Sequence, residues 1–183
     1  MGGRCLGAGT IAGVAPYTTD GLDFLAGMGP ENIEEFGLAA DGIAQLTPYL
    51  EEQALELATV SGEDVAAALG GLVSEVDKTA LTSDFAQWVA ELFRTAVATG
   101  VAGWRDDDLA FTRHWGFEVG AITTPLALWQ GGEDRMVPFA HGGWLAANMP
   151  AARAHLYPDA GHLSLLVGRL GDILDDLVDL AKL

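Results

Sequence analysis

The stretch Gly131-Gly132-Glu133-Asp134-Arg135-Met136-Val137-Pro138 decides the fold. It follows a short apolar run, Leu126-Ala127-Leu128-Trp129, which predicts a buried strand ending in a glycine turn that carries a carboxylate. A second short apolar run leads into Pro158-Asp159-Ala160-Gly161-His162. We therefore predict an acid, Asp134, and a histidine, His162, each just beyond the carboxyl end of a strand.

Strands and helices alternate around this stretch. The pattern predicts strands over Cys5–Val14, Leu126–Gln130 and Ala154–Tyr157, and helices over Phe139–Asn148 and Leu163–Leu183. Strand–helix–strand units of this length favour parallel pairing of the strands. The predicted fold class is therefore α/β, with a partial parallel sheet of about three strands and flanking helices.

The final helix is predicted to be amphipathic. Its apolar side chains are expected to face inward: Leu166, Val167, Leu170, Leu174, Leu177 and Val178. Its acidic side chains are expected to face outward: Asp172, Asp175, Asp176 and Asp179. This division predicts that the first set packs on the sheet.

Residues from about 30 to 100 are predicted to form a block of helices inserted between strands. Helices are expected from Gly29-Pro30 onward, from Thr47-Pro48 to Thr59, over Val65–Val73, and over a clear amphipathic stretch, 85–97, that ends before Gly100. Their apolar faces either pack on each other or together roof a pocket, with Trp88 and Phe93 as candidate lining residues.

Two further groups of residues receive structural interpretations. The acidic stretch 104–109 is interpreted as a solvated turn, or as caps for a following helix, and not as a metal site, because consecutive carboxylates do not converge on one ion. His114 is expected to be a structural or surface histidine. His141 is expected to be a surface histidine, with contact to the site as the alternative, and His155 is assigned no role.

Composition narrows the classes of partner and compartment. The 183 residues carry a formal charge of −17, with 26 acidic and 9 basic residues, so nucleic acid and anionic membrane surfaces are not expected partners. No apolar run approaches the roughly 20 residues that span a bilayer. Cys5 is the only cysteine, which excludes an internal disulfide and favours the cytoplasm.

Asp134 and His162 follow neighbouring predicted strands and are therefore expected to meet. A carboxylate that accepts a hydrogen bond from an imidazole fixes its tautomer and supports the imidazolium that forms during proton transfer. An acid and a histidine in this order form the second half of a nucleophile–histidine–acid relay. Both are predicted catalytic residues.

At these motifs the chain resembles the C-terminal part of the α/β-hydrolase fold family, in its capped, esterase- or peptidase-like form. The likeness rests on G-x-x-D-x-x-V-P at 131–138 and P-x-x-G-H at 158–162, with Thr10–Tyr17 similar to the strand after the nucleophile helix. It implies a partial hydrolase core over 1–17 and 119–183, and an inserted helical cap with its return segment over 18–118. It also implies hydrolysis of an ester, amide or epoxide of a small apolar substrate, without a cofactor.

The chain departs from that family at the nucleophile. The family carries its serine on a G-x-S-x-G elbow that also builds the oxyanion hole, and this sequence has no such motif. Its serines are Ser61, Ser74, Ser83 and Ser164. The expectation is a truncated hydrolase that is inactive alone, and the alternative is a non-catalytic ligand-binding or interaction module derived from a hydrolase.

The predicted first strand, 5–14, has an open edge if the nucleophile strand is absent. An unpaired apolar strand is a site for pairing with another chain. The sequence therefore predicts a dimer or a complementing chain through this edge, or poor stability of the chain alone.

Overall fold

The structure is a computed structural model and describes residues 5–182. Its sheet has three parallel strands in the order β1 (Ala8–Ile11), β2 (Leu126–Gly131) and β3 (Ala152–Tyr157). The predicted α/β class and partial parallel sheet are confirmed. β1 is shorter than the predicted strand over Cys5–Val14, because Ala12 adopts a left-handed conformation, with φ of 51°, that ends the strand.

The helices surround this sheet and fill the long segment between β1 and β2. They are α1 (Pro30–Asp41), α2 (Ile43–Leu57), α3 (Val65–Ala68), α4 (Glu75–Ala80), α5 (Ser83–Val97), α6 (Ala102–Phe111), α7 (Phe139–Asn148) and α8 (His162–Leu180), with short 3-10 turns at Gly70–Leu72 and Val119–Ala121. The second helix begins at Ile43, right after Gly42, and not at the predicted Thr47, so Pro48 lies inside it. The third predicted helix, Val65–Val73, is broken into α3 and a 3-10 turn.

Side chains of the central strand β2 pack on both faces of the sheet. Leu128 packs with Leu145 and Met149 on the side of α7. Ala127 and Trp129 point to the other face, where α8 lies. This alternation is the two-residue period of a strand that is covered on both sides.

The predicted inward face of α8 is wrong. Its buried side chains are Leu165, Ile173, Asp176 and Leu180. Four of the side chains predicted to face inward are about half exposed: Val167, Leu170, Leu174 and Val178. The helix carries two apolar stripes, and the sheet, which is three strands wide, buries only one of them. Asp176, predicted to face outward, turns inward because it pairs with Arg153 and His155 of β3.

The helices before β2 pack mainly against one another. One cluster joins α1, α2 and α6 through Ala39, Leu46, Leu50 and Leu109. A second cluster joins α3 and α5. Two residues that follow β2 and β3 pack against this cluster, Met136 and Leu163. The helices before β2 are thus in contact with the carboxyl edge of the sheet.

Two expectations about this helical block are corrected. Trp88, a predicted pocket-lining residue, is 49% exposed and stacks on Phe85, while the smaller Ala86, Val89 and Ala90 form the buried face of α5. The acidic stretch 104–109 is not a turn but lies inside α6. Asp108 is buried there, because the helical period turns it toward α1 and leaves Asp106 and Asp107 exposed.

Candidate active site

Asp134 lies in the turn after β2, and its carboxylate is held by the protein. Its side chain is buried, and its Oδ1 accepts hydrogen bonds from the backbone N–H groups of Met136 and Val137, each at 2.8 Å. Gln130 Nε2 approaches Oδ2 at 3.4 Å. These hydrogen bonds fix the orientation of the carboxylate.

Glycines bring the turns after β2 and β3 together. A Cβ at Gly131 would overlap the carbonyl of Ala160, and one at Gly132 would overlap Pro158. Backbone hydrogen bonds join the same turns, from Gly132 N to the Tyr157 oxygen at 2.7 Å and from Glu133 N to the Ala160 oxygen at 2.8 Å. The absence of side chains at these positions therefore sets the distance between the acid and the histidine.

His162 is the first residue of α8, and its ring meets the acid. Its Nδ1 lies 2.9 Å from Asp134 Oδ2, and its side chain is 30% exposed. Since a carboxylate only accepts, Nδ1 carries the proton, and the neutral ring has its lone pair on Nε2. No hydrogen bond from residues 5–182 reaches Nε2. Chemically, an imidazole held in this way can take up a proton at Nε2.

The charge state of His162 follows from opposing effects. Burial lowers the pKa of His162, but the hydrogen bond and charge of Asp134, together with the charge of Asp77, outweigh burial and raise it above its ordinary value. The imidazolium formed by proton uptake is thus stabilised where it forms. This is the electrostatic requirement of a general base supported by an acid.

The serines do not complete a relay within the described chain. Ser61 hydrogen-bonds to Asp64, and Ser164 accepts the Gly161 N–H at 2.7 Å. Ser83 begins α5, and Ser74 is 1% exposed. Across residues 5–182, no serine hydroxyl forms a hydrogen bond with His162.

The helical block holds the turn that presents Asp134. Gly29, just before α1, donates its N–H to the Arg135 oxygen at 2.8 Å, and Asn32 Nδ2 donates to the Met136 oxygen at 3.1 Å. These contacts fix the backbone on both sides of Met136. The N-terminus of α1 therefore helps to set the position of the acid.

His141 was expected at the surface, and the structure contradicts this. It is fully buried in α7, where Nδ1 accepts the Ala15 N–H at 3.1 Å and Nε2 faces the Phe24 oxygen at 2.9 Å. Burial lowers the pKa of His141, although the Phe24 hydrogen bond and the Asp134 charge oppose that effect. The neutral ring therefore connects Ala15, which follows β1, to Phe24, which precedes α1.

A cavity of about 210 Å³ lies within the helical block. Phe93, as predicted for a lining residue, borders it together with Glu31, Glu35, Tyr49 and Trp104. Its lining does not include Asp134 or His162. The cavity is therefore a separate feature from the acid–imidazole pair.

Two general properties accompany the site. In the part of the chain described here, no helix is long and apolar enough to cross a membrane. Over the same residues, no three histidine, cysteine or acidic side chains converge in a way that could hold a metal ion.

The fold and site define an open parallel α/β protein with a carboxylate–imidazole pair at the carboxyl edge of its sheet. No protein-family model matches the chain, and no curated protein matches it. The chain is similar to a solved structure, an esterase from Exiguobacterium antarcticum, with 15% sequence identity and a TM-score of 0.46. The likeness covers 73% of this chain and 48% of the esterase chain, so the chain spans about half the length of that protein.

Proposed function

We propose that this chain is a hydrolase-derived α/β protein in which Asp134 and His162 are the acid and base of a nucleophile–histidine–acid relay. Asp134 orients the ring, and His162 acts as the general base. The observation that carries the proposal is the 2.9 Å contact between Nδ1 and Oδ2, on a ring whose other nitrogen faces no described partner. The reaction would be hydrolysis of an ester, amide or epoxide bond in a small apolar substrate, without a cofactor.

The nucleophile and the oxyanion hole, we further propose, come from outside these 183 residues. The sequence has no G-x-S-x-G elbow, and in residues 5–182 the hydroxyl groups of Ser61 and Ser164 are bonded elsewhere. Loss of the nucleophile from such a relay lowers the rate by about a million-fold. The chain is then a truncated hydrolase that is inactive alone.

The division of the chain follows from the same proposal. Residues 1–17 and 119–183 would form a partial hydrolase core, and 18–118 the helical cap with its return segment. The packing of α1, α2 and α6 in one cluster, and of α3 and α5 in another, supports this division. The single cysteine favours a cytoplasmic location.

The open edge of β1 supports a dimer or a complementing chain through 5–14. β1 pairs with β2 on one side, and Ile11 on this strand is 37% exposed. An edge strand with free backbone donors and acceptors is completed by another strand. A polypeptide paired with this edge would supply the missing nucleophile and oxyanion hole.

A second candidate function is a non-catalytic ligand-binding or interaction module. The observation that favours it is that no serine of residues 5–182 is bonded to His162. The two candidates differ in whether an aryl ester such as p-nitrophenyl butyrate is hydrolysed once the upstream coding sequence is restored to the chain. The truncated hydrolase requires an in-frame G-x-S-x-G in the coding sequence upstream of Met1, and the module does not.

The first test is to read that upstream sequence and to assay the purified chain beside its His162→Ala variant. We expect the elbow to be present and the two proteins to release p-nitrophenol at the same background rate. Ester hydrolysis by the chain that is lost in His162→Ala would overturn the claim that the nucleophile lies elsewhere. An upstream sequence without any nucleophile motif would favour the binding module.

A further inference from the structure

A buried carboxylate from the helical block binds the start of the helix that carries His162. Asp77, in α4, is completely buried. Its Oδ2 accepts the backbone N–H of His162 at 3.0 Å, and its Oδ1 accepts those of Leu163 and Ser164, each at 2.9 Å. Three N–H groups that a helix cannot satisfy internally are thus satisfied by one side chain 85 to 87 residues earlier.

The approach of Asp77 depends on the residue before the histidine. A Cβ at Gly161 would overlap the Asp77 carboxylate, so glycine is required for this contact. Gly161 itself has no side chain to cap the helix, and its own N–H is bound by Ser164. The carboxylate therefore takes the place of a local cap, and it does so at the residue that bears the imidazole.

The helix terminus and the carboxylate have opposite effects on the imidazole. The N-terminus of a helix carries about half a positive charge, which disfavours an imidazolium on its first residue. A carboxylate bound to the first N–H groups cancels this charge at short range. Burial lowers the pKa of His162, while the charges of Asp134 and then Asp77 raise it.

We propose that Asp77 is a positioning residue for His162, through which the helical block fixes the backbone of the base and supports its protonated form. The inference rests on the proposed function, because it concerns the same acid–base pair. Asp134 acts on the ring of His162, and Asp77 acts on its backbone. A displacement of α4 would therefore disturb the base without touching its ring.

The test is an imidazole titration by NMR of the chain labelled with ¹⁵N-histidine, with the His162 signal assigned by its loss in His162→Ala. In Asp77→Asn, which keeps an oxygen acceptor but removes the charge, we expect the pKa of His162 to fall by about 0.5–1 unit. Asp77→Glu restores the charge, and we expect it to restore at least part of that shift. These readouts do not require hydrolysis.

Asp176→Asn is the matched control, because Asp176 is a buried carboxylate on the same helix that pairs with Arg153 and His155. We expect it to leave the titration of His162 in place, because Asp176 is not in contact with that ring. If Asp77→Asn is too unstable to titrate, Asp77→Ser keeps a neutral acceptor at the helix start and serves the same comparison.

An unchanged His162 titration in a folded, neutral Asp77 variant would overturn the inference and reduce Asp77 to a helix cap. That result would leave the proposed function intact, since Asp134 would still orient the ring. Conversely, absence of an upstream nucleophile would defeat the proposed function while leaving a measured effect of Asp77 on His162 in place.

Discussion

His162 Nδ1 and Asp134 Oδ2 lie 2.9 Å apart although the two residues are separated by 28 positions in the sequence. The contact is built by two turns at the carboxyl edge of a parallel sheet, where open α/β sheets place their ligands. Glycines at 131, 132 and 161 let these turns approach each other and Asp77. Backbone N–H groups hold the carboxylate of Asp134, Asp77 holds the backbone of His162, and no hydrogen bond within residues 5–182 reaches His162 Nε2.

Replacement of Asp134 by asparagine is expected to lower the pKa of His162 by about 1 unit or more, because the charge and the carboxylate acceptor are lost together. The amide oxygen can still accept the N–H groups of Met136 and Val137, so the turn is expected to persist. An NMR titration of the imidazole measures the effect. Glu133→Gln, at an exposed neighbouring position, is the control and should leave the titration unchanged. Equal titrations in the two variants would contradict the assignment of Asp134.

The structure predicts a stabilising substitution in α6. Burial raises the pKa of Asp108 to about 8, and the charge and hydrogen bond of Glu35 act in the same direction. The protonated Asp108 donates to Glu35, which also accepts Trp104 Nε1–H at 2.7 Å. Asparagine keeps a donor at this position and does not ionise. Asp108→Asn is therefore expected to raise the free energy of unfolding near neutral pH by about 1 kcal/mol or more.

The pH dependence of that effect has a definite sign. The unfolded Asp108 loses its proton near pH 4, whereas the folded one retains it to about pH 8. Between these values the unfolded state binds fewer protons than the folded state. The free energy of unfolding therefore falls as pH rises. Urea unfolding of wild type and Asp108→Asn from pH 4 to 8 should therefore diverge as pH increases. Asp107→Asn, at an exposed position in the same helix, is the control. Parallel curves would mean that Asp108 is ionised in the folded protein.

His141 is expected to be a stability determinant. His141→Leu leaves the Ala15 N–H and the Phe24 carbonyl without partners, and two orphaned buried groups cost about 2–4 kcal/mol of unfolding free energy. His114→Gln, at an exposed histidine, is the control and should have little effect. A loss no larger than that of the control in urea unfolding would contradict the connector role.

His141 also predicts an acid-sensitive contribution. Because burial lowers the pKa of His141 in the folded protein, the unfolded state binds more protons as pH falls below about 6.5, and stability decreases. The difference between wild type and His141→Leu should therefore shrink as pH falls through this range. A constant difference would show that the folded and unfolded states protonate this residue alike.

The open edge of β1 predicts association. Ile11→Lys places a charge on this edge, and we expect it to weaken self-association of the chain in sedimentation velocity experiments. Raised salt is needed, because a net charge of −17 makes copies of the chain repel each other. Ile33→Lys, at a 44% exposed position on α1, is the control. A wild-type chain that stays monomeric and stable at high concentration would count against pairing through this edge.

Local sequence patterns predicted the strands and the acid and histidine turns because their signals are local: short apolar runs that end in glycines. The inward face of α8 was not predictable in this way, since the helix has two apolar stripes and the width of the sheet selects between them. The roles of His141 and Asp77 depend on partners 117 or more and 85 or more residues away. Neither residue carries a neighbouring motif that marks its contact.

The most direct test of the central claim is the hydrolysis of p-nitrophenyl butyrate by the chain extended with its own upstream coding sequence. We predict that the extended protein is active and that His162→Ala lowers its kcat by at least about a thousand-fold, while the unextended chain stays at background. An extended, folded protein whose activity is unaffected by His162→Ala would contradict the assignment of His162 as the general base.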